Sequence, residues 1–360
     1  MFFAAVPLGI IASLLAGSLQ GVRAFFAYNS TNLLATTLLT VTPLAAALLV
    51  GPDLPTLLAA ALLARVGGLL PQTWAVARLL PLSAPALASA SEGRALMQFG
   101  GWVTIGSIVA PLLVYWDRFV IGAKLGTAAV AAYTIPFNVV VQLSLVPAAL
   151  ASALLPRLAR ISPGAEQDER AATALLFALM TPAAIGLLLL LPGFLTLWVG
   201  HDVASSASLV GEILSLGLWI NGFARLPHAK IHAQGRPRTA TMFLLLEVIP
   251  YAVLLLVLIA AFGLAGAAAA WSLRCLADTL LLLWASKDLR SLASQLIIHG
   301  LILALALVAT TTLAALSYWR LPLALIFVSF AFFLTWRHQP ALRLLPWSSL
   351  MPRALKQRRS

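Results

Sequence analysis

The stretch FGGWVTIGSIVAPLLVYWDRFVIG (99–122) decides the fold class, because it is long and apolar enough to lie in lipid. A bilayer core of about 30 Å requires a helix of roughly 20 mostly apolar residues. The stretch nevertheless carries two adjacent charged residues near its end, Asp117 and Arg118. Charged side chains at membrane depth are costly, so the rest of the chain must explain this pair.

The composition of the whole chain agrees with a membrane protein. Of its 360 residues, 61% are apolar and 9% are charged, whereas soluble domains are about 25% charged. A transmembrane β-barrel would alternate apolar and polar positions, which continuous runs such as LLLLLP (187–192) and PYAVLLLVLIAAF (250–262) do not. The sequence therefore predicts an all-α polytopic membrane protein.

Hydropathy divides the chain into about eleven transmembrane helices. Their predicted bounds are 2–20, 33–50, 54–80, 97–122, 127–155, 170–199, 207–226, 240–262, 264–286, 292–316 and 321–336.

The basic residues predict the orientation of these helices, since short loops rich in Lys and Arg stay on the cytoplasmic side. If the first helix exits into the cytoplasm, 18 of the 23 basic residues are cytoplasmic. The outer loops then hold Lys124 and Arg320, and Arg65, Arg118 and Arg274 lie at membrane depth. We expect a multi-pass protein of the cytoplasmic (inner) membrane with a cytoplasmic C-terminus.

The net charge of +12 has the same explanation. The basic residues are spread over six cytoplasmic segments and do not form one face with interleaved aromatic residues, so no nucleic-acid partner is predicted. Anionic membrane lipids are the expected partners of the basic tail. A single cysteine, Cys275, allows neither an intramolecular disulfide nor a metal cluster. We predict no metal and no cofactor.

A weak internal repeat suggests how the helices are grouped. A Gln-Gly precedes a basic turn in SLQGVRAFF (18–26) and in IHAQGRPRT (231–239), and two helices follow each. We expect a partial first lobe of three helices (1–95), a second lobe of six helices (96–290), two appended helices (291–340) and a basic tail (341–360). On this pattern the first lobe lacks its first three helices.

Two segments carry a resemblance to a known family. The run FGGWVTIGSIVAPLLVYWDRFVIGAKLGTAAVAAYTIPFNVV (99–140), followed by PRLAR (156–160), resembles the start of the second lobe of polysaccharide flippases of the multidrug/oligosaccharidyl-lipid/polysaccharide exporter superfamily. The segment LAGSLQGVRAFFAYNSTN (15–32) is similar to the turn between their fourth and fifth helices.

The resemblance implies alternating-access flipping of lipid-linked oligosaccharide repeat units for surface polysaccharide biosynthesis. The implied substrate is a polyprenyl-pyrophosphate-linked oligosaccharide, with a polysaccharide polymerase and chain-length proteins as further partners. A cation-coupled multidrug exporter of the same fold is the alternative, and it should prefer acidic residues in its cavity.

The first candidate site residues are Asp117 and Arg118, near the outer end of the fourth helix. Adjacent residues point about 100° apart on a helix, so both cannot face one neighbour. One interpretation has Asp117 bonded to a neighbouring helix while Arg118 reaches the outer headgroups. The other makes Arg118 a contact for an anionic group at the outer mouth of the cavity, with Asp117 as its orienter or as a protonatable site.

Arg65 lies near the middle of the third helix, in ALLARVGGLLPQTW (61–74), where glycines and a proline weaken the helix. A guanidinium donates two hydrogen bonds to phosphate oxygens, so Arg65 is a candidate ligand for a pyrophosphate. An interhelical salt bridge is the structural alternative.

Three further charged residues are candidates for coupling. Arg274 and Asp278 are spaced i, i+4 on the ninth helix, so we expect them to meet and neutralise each other. Glu247 has no local partner and could carry a coupling proton, or it could bond to a neighbouring helix.

Aromatic residues on the fourth helix complete the candidate cavity. Trp102 and Tyr115 could stack on sugar rings, although the nearby glycines are equally consistent with close helix packing. No nucleotide-binding or metalloprotease motif is present, and the outer loops are too short for a catalytic domain. The sequence therefore predicts a transporter and no enzymatic activity.

Overall fold

The computed structural model describes residues 2–22, 24–80, 89–158, 165–312 and 319–338. These residues are almost entirely helical, and none of those described lies in a β-strand. Helices suit lipid, because each satisfies its own backbone hydrogen bonds where no water can. The prediction of an all-α polytopic membrane protein is confirmed.

The chain divides into two compact units, Met1–Ser89 and Ala90–Ser360. In the first unit the described residues form α1 (Phe2–Gly21), α2 (Phe25–Leu49) and α3 (Leu54–Leu79). Helices α2 and α3 pack closely at Gly68, where an added Cβ would lie only 2.8 Å from the Cβ of Ala35. The absence of a side chain at this glycine allows the approach. The predicted second span was too short at its start, since α2 begins eight residues before position 33.

Helix α3 begins at a side-chain cap. The carboxylate of Asp53 accepts hydrogen bonds from the Thr56 amide at 3.1 Å and from the Thr56 hydroxyl at 2.8 Å. These bonds lower the pKa of Asp53 below its ordinary value, because they favour the ionised form. The cap is therefore fully formed above the ordinary pKa of Asp and weakens in acid.

The described residues of the second unit form nine helices and one short 3₁₀ turn. The first of these are α4 (Ala90–Leu125), α5 (Thr127–Val140), the turn Val141–Ser144, α6 (Leu145–Leu158), α7 (Ala165–Val199) and α8 (His201–Gly222). The remaining helices are α9 (Arg225–Ala233), α10 (Pro237–Ser286), α11 (Leu289–Thr312) and α12 (Arg320–His338).

Helix α10 is a hairpin of two helices. Glu247 and Arg274 would be about 40 Å apart in one straight helix, yet their side chains meet at 3.4 Å. The chain reverses at Gly263, whose φ of 58° and ψ of −133° suit glycine alone. This break lies at the boundary predicted between the eighth and ninth spans.

Among the described residues, eight helical stretches are long and apolar enough to cross a membrane, and α10 is one of them. Two shorter apolar helices, Val6–Gly21 and Pro322–Phe333, accompany them. With α10 counted as its two halves, these segments correspond one for one to the eleven predicted spans.

The core of the second unit lies where α7 and α8 pack against α5 and the α10 hairpin. Its largest buried side chains include Tyr133, Phe177 and Phe223. Polar bonds between helices set the packing register: Thr241 donates to the Trp102 carbonyl at 2.9 Å, and Ser272 donates to the Ile213 carbonyl at 2.9 Å. Helix α4 therefore packs along the first half of α10, and α8 along the second half.

The last two helices attach to α7 through buried polar side chains. The prediction that Arg320 lies in an outer loop is wrong: it is the first residue of α12 and is 5% exposed. Its guanidinium donates to the Leu189 carbonyl at 3.2 Å and to the Thr310 carbonyl at 2.8 Å. Burial of this arginine is tolerated because main-chain carbonyls of two other helices accept hydrogen bonds from its guanidinium.

The α10 hairpin predicts a specific effect of Gly266→Ala. A Cβ at this position would lie 1.8 Å from the Leu258 carbonyl oxygen, so the reversal must distort. We expect a loss of about 1–3 kcal/mol or more, visible as a lower melting temperature of the purified protein. Gly186→Ala is the matched control, because its Cβ would meet no atom within 4 Å. Equal melting temperatures for the two variants would contradict the hairpin geometry.

Candidate functional site

A cavity of about 350 Å³ lies within the second unit. Four helices form its walls: α4, α8, α9 and both halves of α10. Its lining residues are Val103, Gly106, Ser107, Ala110, Val114, Asn221, Ala224, Arg225, His228, His232, Ala240, Thr241, Leu244, Arg274, Asp278 and Leu282. Small side chains on α4 leave the space open, and polar side chains on α8, α9 and α10 line the opposite walls.

The short helix α9 supplies three of the four described basic residues that line the cavity. Arg225, His228 and His232 follow an i, i+3, i+7 spacing, so they share one face of α9, and all three line the cavity. The centroids of the two imidazole rings are 4.3 Å apart. Arg225 and His228 are exposed, which leaves their N–H groups available to a ligand.

An ion cluster on the other side of α9 holds this helix in place. The Nζ of Lys230 lies 2.8 Å from Glu169 Oε1 of α7. The same atom lies 3.0 Å from Oδ1 of Asp288, between α10 and α11. Because Lys230 tethers α9 to both neighbours, the basic face of α9 is held toward the cavity.

Arg274 and Asp278 both line the cavity and attract each other, but the salt bridge of Arg274 is with a different residue. Nη1 of Arg274 lies 3.4 Å from Oε2 of Glu247, on the other arm of the α10 hairpin. Asp278 instead accepts a hydrogen bond from Asn221 at 3.4 Å and lies close enough to Glu247 to interact with it. Two carboxyl groups and one guanidinium therefore meet at the cavity wall.

Asp117 and Arg118 form a packed structural unit away from the cavity. Oδ1 of Asp117 accepts from Nη1 of Arg118 at 3.0 Å, and its Oδ2 accepts from the Tyr133 hydroxyl of α5 at 2.5 Å. Arg118 also donates to the Val114 carbonyl at 2.7 Å and lies 4.2 Å from the Phe137 ring centroid. The expected bond from Asp117 to a neighbouring helix is present.

Of the two interpretations of Arg118, the one in which its side chain reaches the outer headgroups is wrong. Its side chain is 13% exposed and folds back along α4 onto Asp117, so it does not reach outward to headgroups. The arginine side chain is long and flexible, so its guanidinium reaches Asp117 even though the two Cα–Cβ bonds point about 100° apart.

The remaining predicted residues lie outside the cavity lining. Trp102 packs beside it, with the Arg238 guanidinium 5.5 Å from its ring centroid. Tyr115 is 55% exposed and packs against Arg118 at 5.0 Å. Arg65 belongs to the first unit, where it is exposed and lies against Gly9 of α1. None of the described residues forms an ion pair or hydrogen bond with Arg65.

Sequence reasoning missed Asn221, Arg225, His228 and His232. The stretch ARLPHAKIHAQGR (224–236) is polar, so it was interpreted as the end of a span and a cytoplasmic loop. The available signal was the i, i+3, i+7 spacing of the basic residues opposite buried Leu226 and Ile231. That pattern is typical of an amphipathic helix with one apolar and one polar face.

The buried pair predicts that Asp117→Ala destabilises the protein. Removing the carboxylate leaves the buried Arg118 guanidinium without its counter-ion, which costs about 3–5 kcal/mol. The melting temperature should fall clearly, and it should fall less in Tyr133→Phe, which loses only one hydrogen bond. An unchanged melting temperature together with lost transport would instead assign the pair to the substrate.

Comparisons with known proteins agree with this architecture. A family model described as "Polysaccharide biosynthesis protein" matches residues 1–162. The putative O-antigen transporter of Shigella flexneri is 33% identical over 193 residues, which is 53% of this chain and 46% of that protein. This chain thus spans about half the length of that curated relative.

A solved structure shares the fold. The lipid II flippase MurJ, in an inward closed conformation, matches with a TM-score of 0.60 and 11% sequence identity. The match covers 91% of this chain and 70% of the MurJ chain. Together the three comparisons support the resemblance predicted from the sequence, to a family of polysaccharide and lipid-linked flippases.

Proposed function

We propose that this protein flips lipid-linked oligosaccharide repeat units across the cytoplasmic membrane for surface polysaccharide biosynthesis. The observation that carries the proposal is the basic cavity of the second unit, lined by Arg225, Arg274 and two histidines. The printed names of the relatives, an O-antigen transporter and a lipid II flippase, support the same class of substrate.

The chemistry of the cavity suits a diphosphate. Arg225 faces the cavity and, among the described residues, shares no ion pair, so its guanidinium can donate two parallel hydrogen bonds to phosphate oxygens. The imidazoles of His228 and His232 add further donors on the same helix face. At about 350 Å³ the cavity is within the usual range for small-ligand sites. In this proposal the oligosaccharide follows the diphosphate, and the polyprenyl chain stays in the bilayer.

Alternating access is the mechanism that fits a site built inside a helical bundle. The helices around the cavity have points where they can bend: Pro111 in α4, Pro250 in the first half of α10 and the break between α8 and α9. Bending there would open the cavity to one side of the membrane and then to the other. Arg65 stays a predicted ligand for a pyrophosphate, and Trp102 stays a predicted contact for sugars.

A cation-coupled exporter of small molecules is the second candidate function. The observation that favours it is the meeting of Glu247 and Asp278 beside Arg274 at the cavity wall. Two neighbouring carboxyl groups can share a proton or bind another small cation. In a flippase the same carboxyl groups would serve coupling, so the identity of the exported molecule separates the two candidates.

The proposal includes a location and partners. We place the protein in the inner membrane with its C-terminus in the cytoplasm, on the evidence of the basic residues alone. Residues 339–360, which would form the basic tail, lie outside the described residues. A polysaccharide polymerase and chain-length proteins would receive the exported units.

The proposed function predicts that Arg225→Ala reduces export of the surface polysaccharide. Losing one charge-assisted contact to phosphate weakens binding by about 1.5–3 kcal/mol, which is roughly ten-fold or more. The measurement is the amount of surface polysaccharide made by cells that depend on this protein, normalised to its amount in the membrane.

Arg236→Ala is the matched control for this experiment. Arg236 is also an exposed arginine of the same segment, but it precedes α10 and does not line the cavity. Export should stay near normal in this variant. Equal export by both variants at equal protein level would reject the cavity as the diphosphate site.

A further inference from the structure

His228 and His232 form a pair whose place in the cavity gives it a second role. The two rings lie one helical turn apart on α9, with centroids 4.3 Å apart and an interplanar angle of 32°. Histidine is the side chain whose ordinary pKa falls between pH 5 and 8, so its charge responds to changes in its surroundings such as the binding of an anion. In the proposed function these rings donate hydrogen bonds, which a neutral imidazole can do with its one N–H group. A separate question is whether either ring takes up a second proton and becomes positively charged.

The charge nearest to the pair along α9 opposes its protonation while the cavity is empty. Arg225 lies one turn before His228 on the same helix, and Arg274 lines the cavity from α10. Asp278, also from α10, is the one acidic residue in the lining, and Glu247 beside it already pairs with Arg274. The described lining residues of α4 and α8 carry no charge. The charges of Arg225, Arg274, Asp278 and Glu247 sum to zero, and the one adjacent to the pair on α9 is the positive charge of Arg225.

An anion in the cavity reverses this balance. A diphosphate esterified at both ends carries two fixed negative charges at neutral pH, and it would lie within reach of the same α9 face. Each imidazolium then gains an attractive partner in a partly desolvated site, where charge interactions are stronger than in water. By linkage, a ligand that favours the protonated form must bind more tightly as the pH falls.

We propose that the histidine pair is the proton site of the cavity, and that binding of an esterified diphosphate is accompanied by uptake of about one proton on His228 or His232. This inference rests on the proposed function, because it assumes that the cavity takes a diphosphate. Its consequence is that the bound complex carries less net negative charge than the ligand alone, which lowers the cost of holding the anion at membrane depth.

Calorimetry with UDP-glucose tests the proposal on the purified full-length protein. UDP-glucose is a soluble diphosphate esterified at both ends. Its phosphates therefore lack the ionisation near pH 6 of a phosphate monoester and keep a constant charge between about pH 6 and about pH 8. Binding heats measured in buffers of different ionisation enthalpy give the number of protons taken up per ligand bound. We expect uptake of about one-half to one proton near pH 7, and an affinity that rises several-fold from about pH 8 to about pH 6.

The variants separate the histidine pair from other groups. In His228→Gln/His232→Gln, which keeps polar side chains of similar size, proton uptake should be lost and the affinity should vary little with pH. His201→Gln is the matched control, because His201 is exposed at the start of α8 and lies outside the cavity. It should behave like the unaltered protein.

Three results would contradict the inference in different ways. Binding of UDP-glucose without proton uptake would overturn the role of the histidine pair and leave the proposed function standing. Undiminished uptake in the double variant would assign the proton to another group. Failure of UDP-glucose to bind, even at millimolar concentration and low pH, would overturn the diphosphate site and the proton site together.

Discussion

Charged side chains within apolar helices must find partners inside the protein, and this constraint organises the second unit. Leaving water is costly for an ion, and lipid supplies no replacement for the lost hydration. Asp117 meets Arg118 and Tyr133, and Glu247 meets Arg274 across the α10 hairpin. Each contact joins segments that the apolar packing alone would leave free to slide.

The same constraint separates structural charges from functional ones. Asp117 and Arg320 are hydrogen-bonded to neighbouring helices, so their charges fix one helix against another. Arg225 and His228 are different, since they are exposed and border a cavity. An exposed guanidinium beside a cavity is free to bind a ligand of opposite charge. In the proposed function that ligand is the diphosphate of a lipid-linked sugar.

Much of the fold could be predicted from the sequence, because it depends on local hydropathy. The eleven spans, and the break at Gly263 between two of them, follow from the lengths of the apolar runs. The partners of the charged residues could not be predicted in the same way. The i, i+4 spacing along one helix predicted Asp278 as the ion-pair partner of Arg274. The chain reversal at Gly263 instead brings Glu247 close enough to form the salt bridge. The basic face of α9 was missed because a short polar helix and a cytoplasmic loop have similar compositions.

The most direct test of the account is whether water and anions reach the cavity. Ser107→Cys, in a Cys275→Ser background, places a thiol on the cavity wall, and Leu305→Cys places one on an exposed apolar position of α11. Thiols react as thiolates, which require water. The account predicts that a charged, water-soluble methanethiosulfonate labels Ser107→Cys, that UDP-glucose slows this labelling, and that Leu305→Cys stays unlabelled. An unreactive thiol at position 107, or labelling that UDP-glucose does not change, would contradict it.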